Sequence, residues 1–553
     1  MKEQMSNLDD DHHMEVISLD DEDPNKESKS SKLSSQRTNL TTSTCTSTKS
    51  YDSRSSRFQI QREKLSLLFS FDGNDNAKAV ALAHIPRGAA FCALSVYFSV
   101  ALVQLATQAA GCETEPPEGE TEIPPCDKRI LGLKPSSMLS IYILVLGISI
   151  STCLPIIGAL LDSSKYRRGF GRAVSMALTT ITFGQSFVSK ENWIIMLVLQ
   201  IFSSLLLEVE YCIVLAYIPE LTNDEEKLSH YNVIFATVYN VTVLLFLVGM
   251  TVATILFEGV NDKIIAARIA MMVTFVLQLI FYSYSWTWLF GPNTPRKNSK
   301  KEGNFNILNF ISSGLKHVGQ TICKIFKQRR EVKWCLISRA FTQAANIGFV
   351  AAILSYLTDV IHISSRNLGI ATLILLATAI LGNQVSIPVS KCLNPLRSLQ
   401  ICLFIWCCFS ATLSFLVYEP GHETRLFFLT LIWGISTGWK EPTEKTLWCQ
   451  LVPQSSTTEM MGLFLFFSQI LAWLPPLVFT ALNEAGGVGI QIALSSFGVY
   501  FLIGIGCLFL VGDYGTATKN TKTCEEEHEA KPAKEIEADQ EVKDEEDLKD
   551  ASC

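Results

Sequence analysis

Long apolar windows recur along the chain, at about 88–110, 138–161, 173–189, 193–217, 233–257, 265–290, 334–357, 368–389, 398–418, 424–447, 460–482 and 489–511. About 20 residues at ~1.5 Å rise cross the ~30 Å hydrocarbon layer, so each window predicts a membrane-spanning helix. The third is short and the tenth unusually polar. The pattern predicts an all-α polytopic membrane protein with twelve transmembrane helices in two six-helix halves, residues 81–291 and 334–512. A hydrophilic connection, 292–333, joins the halves. Within it Ile307, Ile311, Leu315, Val318, Ile322 and Ile325 recur every three or four residues, with Lys316, Lys324 and Lys327 between them. That spacing predicts an amphipathic helix that lies on the membrane surface or packs on the bundle; either way it ties the halves together.

Outside the windows the chain is polar. Residues 1–80 are rich in Ser, Thr, Asp and Lys and lack the early apolar core of a cleavable signal. Residues 513–553 carry 14 Asp/Glu against 6 Lys, a balance of −8 within a whole-chain charge of −7. Both tails are expected to be disordered. An even number of spans puts them on one side, and positive charge selects which. Lys165, Arg167, Arg168 and Arg172 follow the second span, and Arg296, Lys297, Lys300, Lys301, Arg329 and Arg330 lie in the central connection. The first loop on the other side is acidic, so both termini are expected in the cytosol. In that loop Cys112 and Cys126 are placed to form a disulfide if the compartment is oxidising.

The composition, 48% hydrophobic and 18% charged, excludes a soluble enzyme of this length. No phosphate-binding Gly-rich loop, metal spacing or catalytic constellation appears, so no cofactor, enzymatic activity or nucleic-acid partner is expected. Ionisable residues inside the spans are the candidate chemistry, because burying them in hydrocarbon is costly unless they function. Span four carries Glu208 and Glu210, which diverge by about 200° on a helix and so cannot share one cavity. Span seven carries Arg339, Gln343 and Asn346 as one polar stripe. Span ten carries Lys440, Glu441, Glu444 and Lys445, whose four-residue spacings allow two ion pairs. Pro442 among them is expected to break that helix and leave a charged half-helix by a cavity, as substrate sites in transporters are built. Each feature also has a structural reading: an anchor between helices, or a solvated cap. These residues are candidates for substrate or proton binding, in a monomer.

Gly158-Ala-Leu-Leu-Asp162-Ser-Ser-Lys165-Tyr-Arg167-Arg168 after span two resembles the loop signature of the major facilitator superfamily, with Ser163 where Arg is usual. The resemblance implies the major facilitator fold and a gating role for Gly158, Asp162, Lys165, Arg167 and Arg168. Ala216-Tyr-Ile-Pro-Glu-Leu221, Gly438 with Leu451-Val-Pro453, and Met461-Gly-Leu-Phe464 through Ala472-Trp-Leu-Pro-Pro-Leu477 resemble the vacuolar effluxer family linked to autophagy. That resemblance, over residues 88–512, implies a secondary transporter returning amino acids from a vacuole or lysosome-like compartment, with or without proton coupling. The family's Ser-Arg-Ser near the end of span ten is Glu444-Lys445-Thr446 here. Transport of a sugar or nucleoside, or a non-transporting scaffold or receptor that recruits partners through its acidic tail, are the other readings. Glu63 through Leu67-Leu68 matches an acidic dileucine sorting pattern, and equally an amphipathic turn beside the membrane.

Overall fold

The computed structural model describes residues 71–523, except 72, 113–127, 129, 131–136, 163–166, 257–262, 292–306, 360, 362, 364, 419–420, 453–456, 485–489 and 522. In the first half, α1 (Asp75–Ala109), α2 (Ser137–Asp162), α3 (Arg167–Gln185), α4 (Trp193–Tyr217), α5 (Glu225–Leu256) and α6 (Lys263–Tyr284) follow one another. The connecting helix is α7 (Ile307–Gln328). The second half comprises α8 (Arg330–Asp359), α9 (Ser365–Leu416), α10 (Glu423–Leu451), α11 (Thr457–Gln469), α12 (Leu474–Glu484), α13 (Ile490–Ser495) and α14 (Phe497–Val511). Each expected span falls mostly on helix, the third ending at Gln185 and the last two being interrupted. Among the described residues, eight helical segments are long and apolar enough to cross a membrane.

One of those segments contains two expected spans. In α9, Asn394 adopts φ 66°, and its side-chain oxygen caps the following turn by accepting from Arg397 N at 2.9 Å. Pro395 stands at the first position after that cap, where its missing N–H costs nothing. Ser390 and Ser398, eight residues apart, are 3.4 Å from each other through their hydroxyls, so the chain reverses here. Both arms pack on α10.

The first helix begins 13 residues earlier than the hydropathy window at 88. Asn74 caps it by accepting from Ala77 N at 3.1 Å, which draws Lys78, His84 and Arg87 into the helix. The break expected at Pro442 is absent, and α10 runs unbroken through it. Proline removes one donor, orphaning Gly438 O four residues back. In the amide orientation that satisfies its neighbours, Asn383 of α9 donates to that oxygen at 2.7 Å. The interruption falls instead at residues 470–473, between α11 and α12, just before Pro475 and Pro476.

The core is apolar as in a water-soluble protein, but the surface is apolar as well. Ile195, Leu245, Phe404, Phe428 and Phe509 point outward, while Gln185, Gln200, Asn232 and Gln278 lie fully inside. Lipid is as apolar as the outward side chains, so polar groups find their partners within the bundle. The helix α7 packs against α2 and α8. Its Ile325 is buried and Phe326 stacks on Phe467, while Lys316, Lys324 and Lys327 stay exposed.

Candidate functional site

The end of the bundle that carries α7, the α2–α3 and α4–α5 turns and the α9 reversal is called the linker end. There, Arg167 at the start of α3 crosses to the second half. It is 2% exposed and grips Glu220 through two parallel bonds, Nη1 to Oε1 at 2.9 Å and Nη2 to Oε2 at 2.5 Å. Arg167 also donates to Thr457 Oγ1 at 3.3 Å, and Thr457 donates to Glu220 Oε1 at 3.1 Å. A fork of this kind is geometrically specific as well as strong. Beside it, α2 and α11 touch backbone to backbone: a Cβ on Gly158 would lie 2.5 Å from Thr458 O, and one on Gly462 would lie 2.7 Å from Leu154 O. Lys391 and Glu226 form an exposed ion pair across the halves.

Of the gating residues expected from the sequence, Gly158 and Arg167 therefore join the halves. Arg168 does not: it donates to Trp286 O at 3.3 Å and Thr287 O at 2.6 Å, within the first half. Lys165 and the side chain of Asp162 lie outside the described residues. Glu220 was missed by sequence reasoning, though its position beside Pro219 ends span four as a one-turn 3₁₀ helix, Ile218–Glu220.

Deeper in, charges from α1, α4, α8 and α10 assemble. Arg87 reaches across to α4, donating to Leu207 O at 3.0 Å and Glu208 Oε1 at 3.0 Å, with its guanidinium 3.5 Å from the centre of the Tyr211 ring. Glu210 points the other way, as the 200° divergence requires. It is 1% exposed, accepts from Tyr282 on α6 at 3.4 Å through Oε2, and its Oε1 makes no hydrogen bond. In the second half Arg339 pairs with Glu444 at 2.8 Å, donates to Ser468 Oγ at 2.7 Å and lies 3.4 Å from the centre of the Phe464 ring. Each half thus ties an arginine of its first span to a glutamate of its fourth, over an aromatic face. Lys440 stands 3.7 Å from Glu444 and donates to Gln343 at 3.1 Å. Asn346 is half-buried on the same helix and makes no polar contact with the group among the described residues.

Lys445 joins the two clusters. It pairs with Glu441 at 2.8 Å and approaches the Tyr211 ring of the other half at 5.3 Å. Sequence reasoning missed Arg87, His84 and Tyr211. The first two fall before the apolar window of span one, and the Asn74 cap was the signal for including them. In the first loop, Cys112 is disulfide-bonded, and Cys126 lies outside the described residues. Among the described residues no group of His, Cys, Asp and Glu is arranged to hold a metal.

This architecture is shared with solved major facilitator transporters. The proton:xylose symporter XylE, bound to 6-bromo-6-deoxy-D-glucose, superposes with TM-score 0.55 at 13% identity, over 80% of this chain and 94% of that one. FucP in the outward conformation gives TM-score 0.55 at 13% identity, covering 79% and 98%. The human organic anion transporter MFSD10 gives 0.52 at 11%, covering 78% and 99%. At these identities the likeness establishes the fold alone, a multi-pass helical bundle of two halves. No curated protein sequence matches the chain. The profile of the family described as "Vacuole effluxer Atg22 like" matches residues 86–233 and 222–520, and the chain belongs to that family. It is a family of transporters, not enzymes.

Proposed function

We propose that the protein moves amino acids out of a vacuole or lysosome-like compartment by alternating access, with both termini and the linker end in the cytosol. The family's description as a vacuole effluxer supports the compartment and direction. The Lys/Arg excess at the linker end supports the orientation. The observation that carries the reading is the meeting of buried charges from both halves at one level of the bundle. Glu441 lies ten residues before the end of α10. At 1.5 Å per residue that is about 15 Å, half of the ~30 Å apolar layer. Transporters of this architecture bind solute near the midplane, between repeats that rock about it.

Contacts joining the halves gather toward the linker end, on residues 154–167, 211–240, 383–391 and 445–462 among those described. The arrangement is therefore read as closed toward the linker end. Solute would then enter from the opposite side, bind among Arg87, Glu208, Glu441 and Lys445, and leave once the Arg167–Glu220–Thr457 contacts part. Lys440, Glu444, Arg339, Gln343 and Asn346 shape the second half of that site. Coupling to protons would place the proton on Glu210, a buried glutamate with no ion pair among the described residues. The test is counterflow of radiolabelled amino acids, sugars and nucleosides in proteoliposomes, with and without a pH gradient. Saturable exchange of amino acids is expected; exchange of sugars or nucleosides alone would replace the substrate reading.

A further inference from the structure

We infer that Glu208 and Glu441 form a two-carboxylate seat, one from each half, that recognises the protonated amine of the transported solute. The inference rests on the transport reading and adds the chemistry by which the solute is read.

Glu441 and Lys445 are one turn apart on the same face of α10, and Lys445 faces Tyr211 of the first half. Glu441 must therefore also face the first half, one turn farther from the linker end. Its electrostatic neighbours confirm this, being Arg87 and His84 of α1 besides Lys445. Although held so deep between the halves, the Glu441 side chain is 44% accessible, against 7% for Lys445. A group surrounded by protein yet accessible borders an internal cleft. Glu208 is placed in the same way on the other wall. It precedes Tyr211 by three residues on α4, shares that ring's face, and is 24% accessible where Arg87 is 14%.

In both ion pairs, then, the acid faces the cleft and the base lies behind it. Each acid engages its base through Oε1. Neither Oε2 makes a hydrogen bond among the described residues. A second, independent observation lies beside them. His84 is 2% exposed and accounts for Nδ1 by a 2.7 Å contact with Val80 O, whereas Nε2 has no partner. Its ring meets the edge of Tyr211 and lies within electrostatic reach of Glu441 and Lys445. A buried polar atom without a partner is costly and points to a missing ligand or water. The cleft thus offers two carboxylate oxygens, with the unpartnered imidazole nitrogen buried behind the Tyr211 ring beside them. An ammonium group, with three donors and one positive charge, matches that set; a carboxylate has no donor to give, and a sugar hydroxyl brings a donor without the charge. The Arg339–Glu444–Lys440 group is closed within the second half and does not compete.

The experiment is ligand-induced thermal stabilisation of the purified full-length protein in nanodiscs, with probes that separate the two ends of an amino acid. L-Leucine, L-leucinamide and 4-methylpentanoate share a side chain and differ in bearing the amine, the acid or both. L-Leucine and L-leucinamide are expected to raise the melting temperature, whereas 4-methylpentanoate and equimolar sodium chloride are not. Glu441→Gln and Glu208→Gln should each raise the half-effective leucinamide concentration roughly tenfold or more. Glu441→Asp, which keeps the charge, should recover most of the response and controls for misfolding. Stabilisation by 4-methylpentanoate but not leucinamide, by sodium alone, or by none of the probes would overturn the assignment. Amine binding in a protein that shows no counterflow would leave this seat standing and refute transport.

Discussion

Replacing Gly158 by alanine tests whether the contact between α2 and α11 holds the linker end shut. The added Cβ would lie 2.5 Å from Thr458 O, 2.9 Å from Glu459 Cα and 3.0 Å from Thr458 C, where ordinary contact begins at 3.4 Å. All three are backbone atoms, so no rotamer change can relieve the clash, and the helices must separate by about 1 Å at this point. Overpacking of this kind costs roughly 1–3 kcal/mol. Opening the linker end removes the clash, so the cost falls on the closed state alone. A penalty of about 2 kcal/mol shifts the closed-to-open ratio roughly 30-fold. Spin labels at positions 226 and 391, whose side chains pair across the halves in this state, report it directly. The wild type should give mainly a short distance, and Gly158→Ala a longer one at the expense of the first. Gly147→Ala, where an added Cβ meets nothing within 4 Å, is the control and should change nothing. An unaltered distance distribution in a folded Gly158→Ala protein would refute the reasoning.

Arg167→Lys should open the linker end almost as much as Arg167→Gln in the same spin-label measurement, because an ammonium cannot reproduce the two-bond fork to Glu220. Asn383→Leu should lower stability by about 1–3 kcal/mol in reversible unfolding, since it orphans the buried Gly438 carbonyl that Pro442 exposes. Unreduced peptide mapping by mass spectrometry should recover Cys112 joined to Cys126; Cys112 joined to another cysteine would contradict the pairing.

The fold was legible because lipid imposes a length on each apolar window, and each window falls mostly on helix. What escaped were features set by single contacts between distant parts of the chain. The start of α1 depends on the Asn74 cap, which adds five polar residues, His84 and Arg87 among them, to a helix whose hydropathy begins later. The continuity of α10 depends on Asn383, some sixty residues from Pro442, so local reasoning about proline could only anticipate a break. The opposed directions of Glu208 and Glu210 followed from helix periodicity alone. The partners Arg87 and Tyr282 did not, because periodicity says where a side chain points but not what it meets. Both ion pairs expected from four-residue spacing in α10 are present, yet Glu444 sits closer to Arg339 than to Lys440. Arg167 and Arg168 are neighbours in one basic loop, and only packing distinguishes the residue that joins the halves from the one that stays within its own.

Alternating access is the central claim, and a reversible lock across the linker end tests it most directly. Cysteines would replace Glu226 and Lys391 in a chain whose exposed Cys323, Cys392 and Cys408 are changed to serine. A cleavable bifunctional thiol reagent would then join the halves in proteoliposomes. The account predicts that amino-acid uptake stops when the link is complete and returns when it is cleaved, with single-cysteine controls unaffected. Undiminished uptake through a fully linked protein would contradict it.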